Sequence, residues 1–452
     1  MAQLSVPLLV FWSALALLVY VYFGYPLIAW LRRKVRPRPV ARAPIEPHVT
    51  VVVVAHNEGH RIGRRIENLL ASDYPRERLA IIIGSDGSTD DTVAIAMRYE
   101  ERGVRVRNFG QRRGKSAVLN DLIASADGEI VVLADARQRF EPGAIRALVA
   151  NFADAEVGAV SGELHLRKRS GTSPGGEGTG FYWRYEKFIR ANESWSGSTV
   201  GATGAIYAIR RHLFQPIPAD TILDDVLIPM QIVRKGYRVI FEADARAHDL
   251  IAMNPREDFI RKARTIAGTF QLFARHPWML NPLRCRVWFE AVSHKALRLA
   301  IPALHCAVLV ANMALLDVIF YRVLLAGQGM FYAAALMGYL TGRPERSRRA
   351  HIERRRIERT YGARRLHADR RQAVRAPRRP PAFSVPYTIC LLGWATIVGF
   401  SRIVTRRQRV TWERMPGKPG PRVVSRPVLV TTEAPAITEA VIVSVCSVRS
   451  QW

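Results

Sequence analysis

The run from Pro7 to Leu31, PLLVFWSALALLVYVYFGYPLIAWL, carries no charged residue. About 20 apolar residues at helical rise cross the hydrocarbon of a bilayer, so residues 7–31 predict a transmembrane helix, and every other element must be arranged around it. Trp12, Tyr20, Tyr22, Tyr25 and Trp30 add the aromatic side chains that favour a membrane–water interface. A cleaved signal peptide fits less well, because the run is too long, no basic segment precedes it and no small-residue cleavage site follows. Arg32, Arg33, Lys34, Arg36, Arg38 and Arg42 come directly after it. The positive-inside rule then puts the next domain in the cytoplasm and the amino terminus outside.

Three later apolar stretches extend the pattern: about Leu299 to Leu316, about Val323 to Leu340, and Val385 to Phe400. The first two, separated by a short link with Asp317 and Arg322, predict a transmembrane hairpin over 299–340; the last predicts a transmembrane or re-entrant helix over 385–404. Between them, 341–384 is an Arg-rich loop that reads first as a solvated cytoplasmic loop; it lacks the aromatic interleaving that stacks on single-stranded nucleic acid, so where it binds an anion phospholipid headgroups are the expected one. Residues 405–452 form a basic tail with no clear helical period. The chain carries +29 overall. Much of that excess flanks apolar runs, which favours membrane phospholipid over nucleic acid as a partner. Four cysteines without paired or zinc-type spacing argue against a disulfide framework or structural zinc.

Between the first span and the later ones the hydrophobic pattern changes. Val49 to Val54 is a continuous β-branched run, the mark of a strand buried on both faces, and it ends at Ala55-His56-Asn57-Glu58. A helix with Ile62, Ile66, Leu69 and Leu70 follows. A second strand, Leu79 to Ile83, then runs into the polar turn Gly84 to Thr92. Val104 to Asn108, the turn Gly110 to Lys115, a helix through Leu122 and a strand Glu129 to Leu133 ending at Asp135-Ala136-Arg137 complete the alternation. Open α/β sheets bind ligands outside the carboxyl ends of their strands, so these polar turns are expected to converge on one sheet edge.

In order and spacing, VVVVAHNE, SDGSTDDT, GKSAVLN, Asp135-Ala136-Arg137, Asp224-Asp225 and Arg261-Lys262-Ala263-Arg264-Thr265 resemble the membrane-bound family 2 glycosyltransferases. That family includes synthases of cellulose, chitin, hyaluronan and poly-N-acetylglucosamine, and the resemblance covers about Val49 to Thr269 with the flanking spans. It implies an α/β GT-A fold over 48–268, an interfacial amphipathic segment over 269–298, a nucleotide-sugar donor (usually a UDP-sugar), a divalent Mg2+ or Mn2+ ion, and inversion at the anomeric carbon. The acceptor would be a polysaccharide or a lipid-linked sugar at the cytoplasmic face of a cell membrane. By the same resemblance Asp86 binds the nucleoside, and Asn57 and Glu58 contact the nucleotide. Lys115, Arg264 and Arg261 meet the diphosphate, Asp135 ligates the metal, Asp225 is the general base beside Asp224, and Glu163 and Trp183 shape the acceptor site.

The residue types suit those roles. Lys115 follows a glycine at a helix start, where a cation and free amide groups meet an anion. Two adjacent carboxylates repel, which would raise the pKa of Asp225 toward that of a useful base. Other readings stand beside these: Asp90 as a helix cap, the Asp224-Asp225 pair as helix N-terminal charges, and Arg261, Lys262 and Arg264 as a basic face on lipid headgroups. The sequence departs from the family pattern at Arg137, which stands where a second metal-binding carboxylate is usual and would face phosphate instead, at Arg261 for Gln and at Thr265 for Trp. Those changes keep open a catalytically silent nucleotide-sugar sensor. A nucleic-acid-binding membrane protein is the remoter alternative. The Gly-rich insert Gly171 to Gly180 is expected to be a mobile loop.

Overall fold

The computed structural model describes residues 5–167, 176–250, 255–341 and 381–408. The Arg-rich run Arg343–Arg379 and nearly all of the basic tail lie outside them. A long helix, α1 (Val6–Val35), passes through a π-helical turn at Tyr20–Gly24 and ends in Arg32, Arg33 and Lys34. The chain then enters β1 (Val49–Ala55), α2 (Gly59–Leu70), β2 (Leu79–Asp86), α3 (Thr92–Met97), β3 (Val104–Phe109), α4 (Lys115–Ala124) and β4 (Ile130–Asp135).

The β-branched run of β1 is explained by its position. Val49, Val51 and Val53 pack with Ile62, Ile66 and Leu69 of α2, while Val52 packs on the other face with Val118, Leu119 and Leu122 of α4. With both faces covered, no polar alternation survives. β1 pairs in parallel with β2 and β4, and β2 with β3. The register sets Ala55 opposite Ser85 and Val54 opposite Asp135, so the carboxyl ends of these strands and their polar turns share one edge.

The second half comprises β5 (Arg139–Phe140), α5 (Ala144–Val149), β6 (Val157–Arg167), α6 (Gly176–Ser196), β7 (Ile206–Arg210), α7 (Asp224–Arg234), β8 (Arg238–Leu250) and α8 (Pro255–Arg275). Among the described residues the eight strands form one sheet, ordered β3-β2-β1-β4-β7-β6-β8-β5, with β7 antiparallel to both β4 and β6. Two expectations meet a different local structure here. Gly176 to Gly180 of the insert form the start of α6, a helix whose later residues Tyr185 and Glu193 bond to α1. α8 also runs without interruption through residue 268, where the sequence reading divides catalytic from interfacial segment.

Three further helices follow: α9 (Trp288–Met313), α10 (Ile319–Thr341) and α11 (Pro381–Val404). Together with α1 they are the four helices among the described residues that are long and apolar enough to cross a membrane. α1 meets α9 and α10 through Phe11, Ala14 and Leu18 against Val308, Ala311 and Tyr321, and the Trp12 indole donates to the Tyr321 hydroxyl at 3.2 Å. Sheet and spans are joined on two sides. The buried guanidinium of Arg238 donates to the carbonyls of Arg38 (2.6 Å) and Gly197 (2.9 Å), fixing the strap after α1. On the other side α11 lies directly on α8, where a Cβ added at Gly399 would fall 3.0 Å from the Ala263 carbonyl oxygen and 3.1 Å from the Ala267 nitrogen.

Because backbone rather than a pliable side chain faces Gly399, Gly399→Leu should force the two helices apart. A loss of about 1–3 kcal/mol, the usual scale of overpacking, is expected and would appear as a lowered melting temperature of the purified full-length protein. An unchanged transition would contradict this packing.

Candidate functional site

The turns at the carboxyl edge are built from one another. Asn57, at a left-handed φ of 54°, accepts the Thr89 N–H at 2.8 Å and donates its own backbone N–H to Ser88 Oγ at 3.1 Å. Glu58 donates its backbone N–H to Thr92 Oγ1 at 2.8 Å, and its carboxylate meets Arg61 at 3.3 Å. Asp90 accepts the N–H groups of Gly59 and Thr92, each at 3.1 Å, which is a capping arrangement. Asn57 and Glu58 therefore sew the end of β1 to the turn after β2. The Asp86 carboxylate is buried and accepts the backbone N–H groups of Arg113 at 2.6 Å and Gly114 at 3.0 Å. It thereby fixes the turn that launches α4 and aims Lys115.

From that position Lys115 Nζ lies 3.1 Å from Asp135 Oδ1 at the end of β4 and 3.1 Å from Asp224 Oδ2 at the start of α7. Burial by itself would lower the lysine's pKa, but Asp135, Asp224 and Asp225 together outweigh it and hold the ammonium charged well above its ordinary range. The Asp225 carboxylate accepts the Gly204 N–H at 3.0 Å. A Cβ on Gly204 would stand 2.8 Å from that same oxygen, so the approach requires glycine. Burial, then the charge of Asp224, pushes Asp225 from the ordinary 3.8 up to about 6, with Lys115 and Arg190 opposing. Asp224 is buried, whereas Asp225 keeps part of its surface open. Arg264 of α8 is lowered by burial and supported by the charges of Asp224, Asp225 and Asp135.

The remaining expected residues lie around this cluster. Arg137 is ion-paired to Asp249 at 2.9 Å, and Gln138 also donates to Asp249 at 3.1 Å. Arg261 is lowered by burial and by the neighbouring charge of Arg137. Glu163 bonds Lys187 and lies 3.0 Å from His165, on the side where β6 faces α6, and Trp183 is half-buried on α6.

Two residues that sequence reasoning did not single out also belong here. Tyr207 of β7 is fully buried, its hydroxyl has no hydrogen-bond partner among the described residues, and the charges of Asp224, Asp225 and Asp135 raise its pKa beyond what burial does. Arg65 of α2 is buried over the Phe140 ring at 4.1 Å and donates to Asn68 at 3.0 Å; burial lowers it to about 9 against the opposing charge of Asp135. Neither has a local signal, since Tyr207 reads as one more core position of a strand and Arg65 as one of several arginines on a helix.

This edge offers an ammonium, a guanidinium and the first-turn N–H groups of α4, which have no partner within the helix, a set suited to an anion, next to a partly exposed carboxylate able to take a proton. A hollow of about 540 Å³ lined by His48, Arg76, Asp127 and neighbours lies instead at the amino ends of the strands and holds none of these groups.

Comparisons with known proteins bear on the family and the fold. Residues 50–217 match the family model described as Glycosyl transferase family 2. The beta-monoglucosyldiacylglycerol synthase of Synechocystis sp. is 36% identical over 126 residues, 27% of this chain and 26% of that protein. A poly-beta-1,6-N-acetyl-D-glucosamine synthase of Staphylococcus aureus is 26% identical over 199 residues, 43% of this chain and 48% of that protein. The match thus spans at most about half the length of these curated relatives. Among solved structures, a mannosyltransferase from Pyrobaculum calidifontis, in complex with GDP-Man and Mn2+, shares the fold with a TM-score of 0.60 and 23% identity, over 88% of this chain and 99% of that one.

The raised pKa of Asp225 has a stability consequence. A carboxyl that holds its proton more tightly folded than unfolded contributes stability that is complete below about pH 4 and is lost as pH rises through about 6. Asp225→Asn should therefore raise the melting temperature at pH 7 and leave it nearly unchanged at pH 4. Thermal unfolding at the two pH values reads the difference directly.

Proposed function

We propose, from the premise that residues 50–217 form a glycosyl transferase family 2 domain, that this chain is an inverting glycosyltransferase. It would move a sugar from a nucleotide-sugar, usually a UDP-sugar in such enzymes, to a polysaccharide or lipid-linked acceptor at the cytoplasmic face of a membrane. The observation that carries the reading is the cluster of Lys115, Asp135, Asp224 and Asp225 at the carboxyl edge of the parallel strands. The cytoplasmic placement rests on Arg32, Arg33 and Lys34 at the end of α1.

Asp225 is the base. Its partly open carboxylate takes the proton of the acceptor hydroxyl as that oxygen attacks the anomeric carbon and the bond to the diphosphate breaks. The buried Asp224 keeps the basicity of Asp225 high, and Lys115 pairs with Asp224. Lys115, Arg264 and the first turn of α4 receive the negative charge that develops on the diphosphate. Arg261, beside Arg137, adds a further positive group on the α8 side. Asn57, Glu58 and Asp86 shape the nucleoside end through the turns they join.

Asp135, at the strand end and 30% exposed, is a hard oxygen ligand of the kind Mg2+ and Mn2+ take, and such ions use one or two carboxylates when phosphates supply the rest. Among the described residues no group of three or more His, Cys, Asp and Glu side chains is placed to hold a metal, so Asp135 would hold the ion together with the donor's phosphates. When bound, it would help neutralise the departing diphosphate. The mannosyltransferase of Pyrobaculum calidifontis, which carries GDP-Man and Mn2+, favours both the donor class and the ion. The names of the two curated relatives support glucosyl or N-acetylglucosaminyl transfer.

Purified protein given a panel of nucleotide-sugars should release nucleoside diphosphate from one of them. The acid limb of the pH–rate profile should fall near 6, the pKa of Asp225. Asp225→Asn should cut release by roughly 10² to 10⁴-fold, the usual contribution of a general base. Donor binding without release, with polysaccharide and lipid acceptors present, would instead support a silent sensor, for which the Arg137–Asp249 pair in place of a second metal carboxylate is the motive.

A further inference from the structure

A base transfers a proton efficiently only when the segment that presents it is held in place, because small misplacements of a reacting group are costly in rate. Asp225 lies on the first turn of α7, and the turn that leads into β7 grips it at two points. The Ala202 N–H donates to the Asp225 backbone carbonyl at 2.7 Å, and the Gly204 N–H donates to its carboxylate at 3.0 Å. Between these two donors stands Thr203, which is tied down through both its backbone and its side chain. Its N–H donates to Ser161 Oγ of β6 at 2.9 Å, and its Oγ1 accepts from Arg190 of α6 at 2.8 Å.

Arg190 is fixed from its other side as well. Glu186, one helical turn earlier, meets its Nε at 3.3 Å and is itself held by Lys295 at 3.0 Å and Arg298 at 2.8 Å from α9. A guanidinium is a rigid planar fork, so one nitrogen can face a carboxylate while another donates to a hydroxyl.

The charge of Arg190 also reaches the base. Asp225 is faced by Asp224 on its own helix, Lys115 of α4, Asp135 of β4, Tyr207 of β7, Arg264 of α8 and Arg190 of α6. Burial and then Asp224 push its pKa up, and Lys115 and Arg190 oppose them. Lys115 is ion-paired with Asp135 and Asp224, whereas the bonds of Arg190 lead through Thr203 to the turn that holds Asp225.

We propose that Arg190 is a positioning residue for the base: through Thr203 it locks the turn that clasps Asp225, and its charge favours the ionised carboxylate. Its service to catalysis rests on the reading of Asp225 as the base; the clasp and the charge coupling do not.

The test pairs kinetics with thermal unfolding, both on the full-length protein. In nucleoside diphosphate release, Arg190→Gln should move the acid limb about one unit to higher pH, the lower end for loss of a nearby opposite charge, with nucleoside diphosphate affinity unchanged. Arg190→Lys, which keeps the charge, should leave the limb near 6. Thr203→Val removes the hydroxyl alone and should lower kcat about tenfold or more, and Thr203→Ser should restore it. An arginine with a merely structural role would lower stability without moving the limb. Unfolding supplies a readout free of turnover. The effects of Arg190→Gln and Asp225→Asn on melting temperature should be non-additive at pH 7, where Asp225 is ionised, and additive at pH 4, where it is protonated. An unmoved limb in Arg190→Gln, a wild-type kcat in Thr203→Val, or additivity at both pH values would each overturn the proposal. If Arg190→Gln fails to fold, the two Thr203 variants decide. If the wild type turns over no nucleotide-sugar, the transferase reading fails, and the unfolding cycle alone decides the coupling.

Discussion

The ammonium of Lys115 neutralises carboxylates brought from two distant parts of the chain, Asp135 at the end of β4 and Asp224 at the start of α7. Without it, Asp135, Asp224 and Asp225 would face one another across a poorly solvated edge, and like charges at such range are strongly unfavourable. The arrangement around it follows from that need. Asp86 spends its carboxylate on the backbone of Arg113 and Gly114, which sets the turn from which Lys115 projects. Gly204 has no side chain, so its N–H can hold Asp225 close to Asp224. The result is one carboxylate of the pair kept buried beside the cation and the other left partly open with its pKa near 6.

The same edge is coupled to the helices expected to lie in the membrane. α8 brings Arg264 toward the three carboxylates on one face and packs Ala263 and Ala267 on Gly399 of α11 on another. α6 is tied to α1 and α9 through Tyr185, Glu186 and Glu193. The ionic edge and the apolar helices are therefore joined in one packed framework, through α8 on one side and α6 on the other.

Much of this was legible beforehand, and the boundary has a physical cause. β1, β2 and β4 could be read because a strand covered on both faces must be apolar throughout, and the turns because Gly, Asp, Ser and Asn collect at strand ends. Site residues that are neighbours in sequence, such as Asp224 and Asp225, carried their own electrostatic signal. The partners did not. Arg137 meets Asp249, and Glu186 meets His294 across 108 positions, and no local pattern announces a pairing made by tertiary folding. The orphan hydroxyl of Tyr207 sits in a strand whose alternation marks only core. Gly176 to Gly180 looked like linker because glycine disfavours helix, yet α6 begins there, with Tyr185 and Glu193 further along it bonded to α1.

The central claim is that the ionic cluster at the carboxyl edge receives the diphosphate of a nucleotide-sugar. The most direct measurement is calorimetric titration of the full-length protein with individual nucleoside diphosphates, wild type against Lys115→Met, each checked for a folded thermal transition. The account predicts that one nucleoside diphosphate binds the wild type and that the folded variant binds it about tenfold or more weakly, the loss expected for a charge-assisted contact. Equal affinity in the two proteins, or no binding by the wild type, would contradict it.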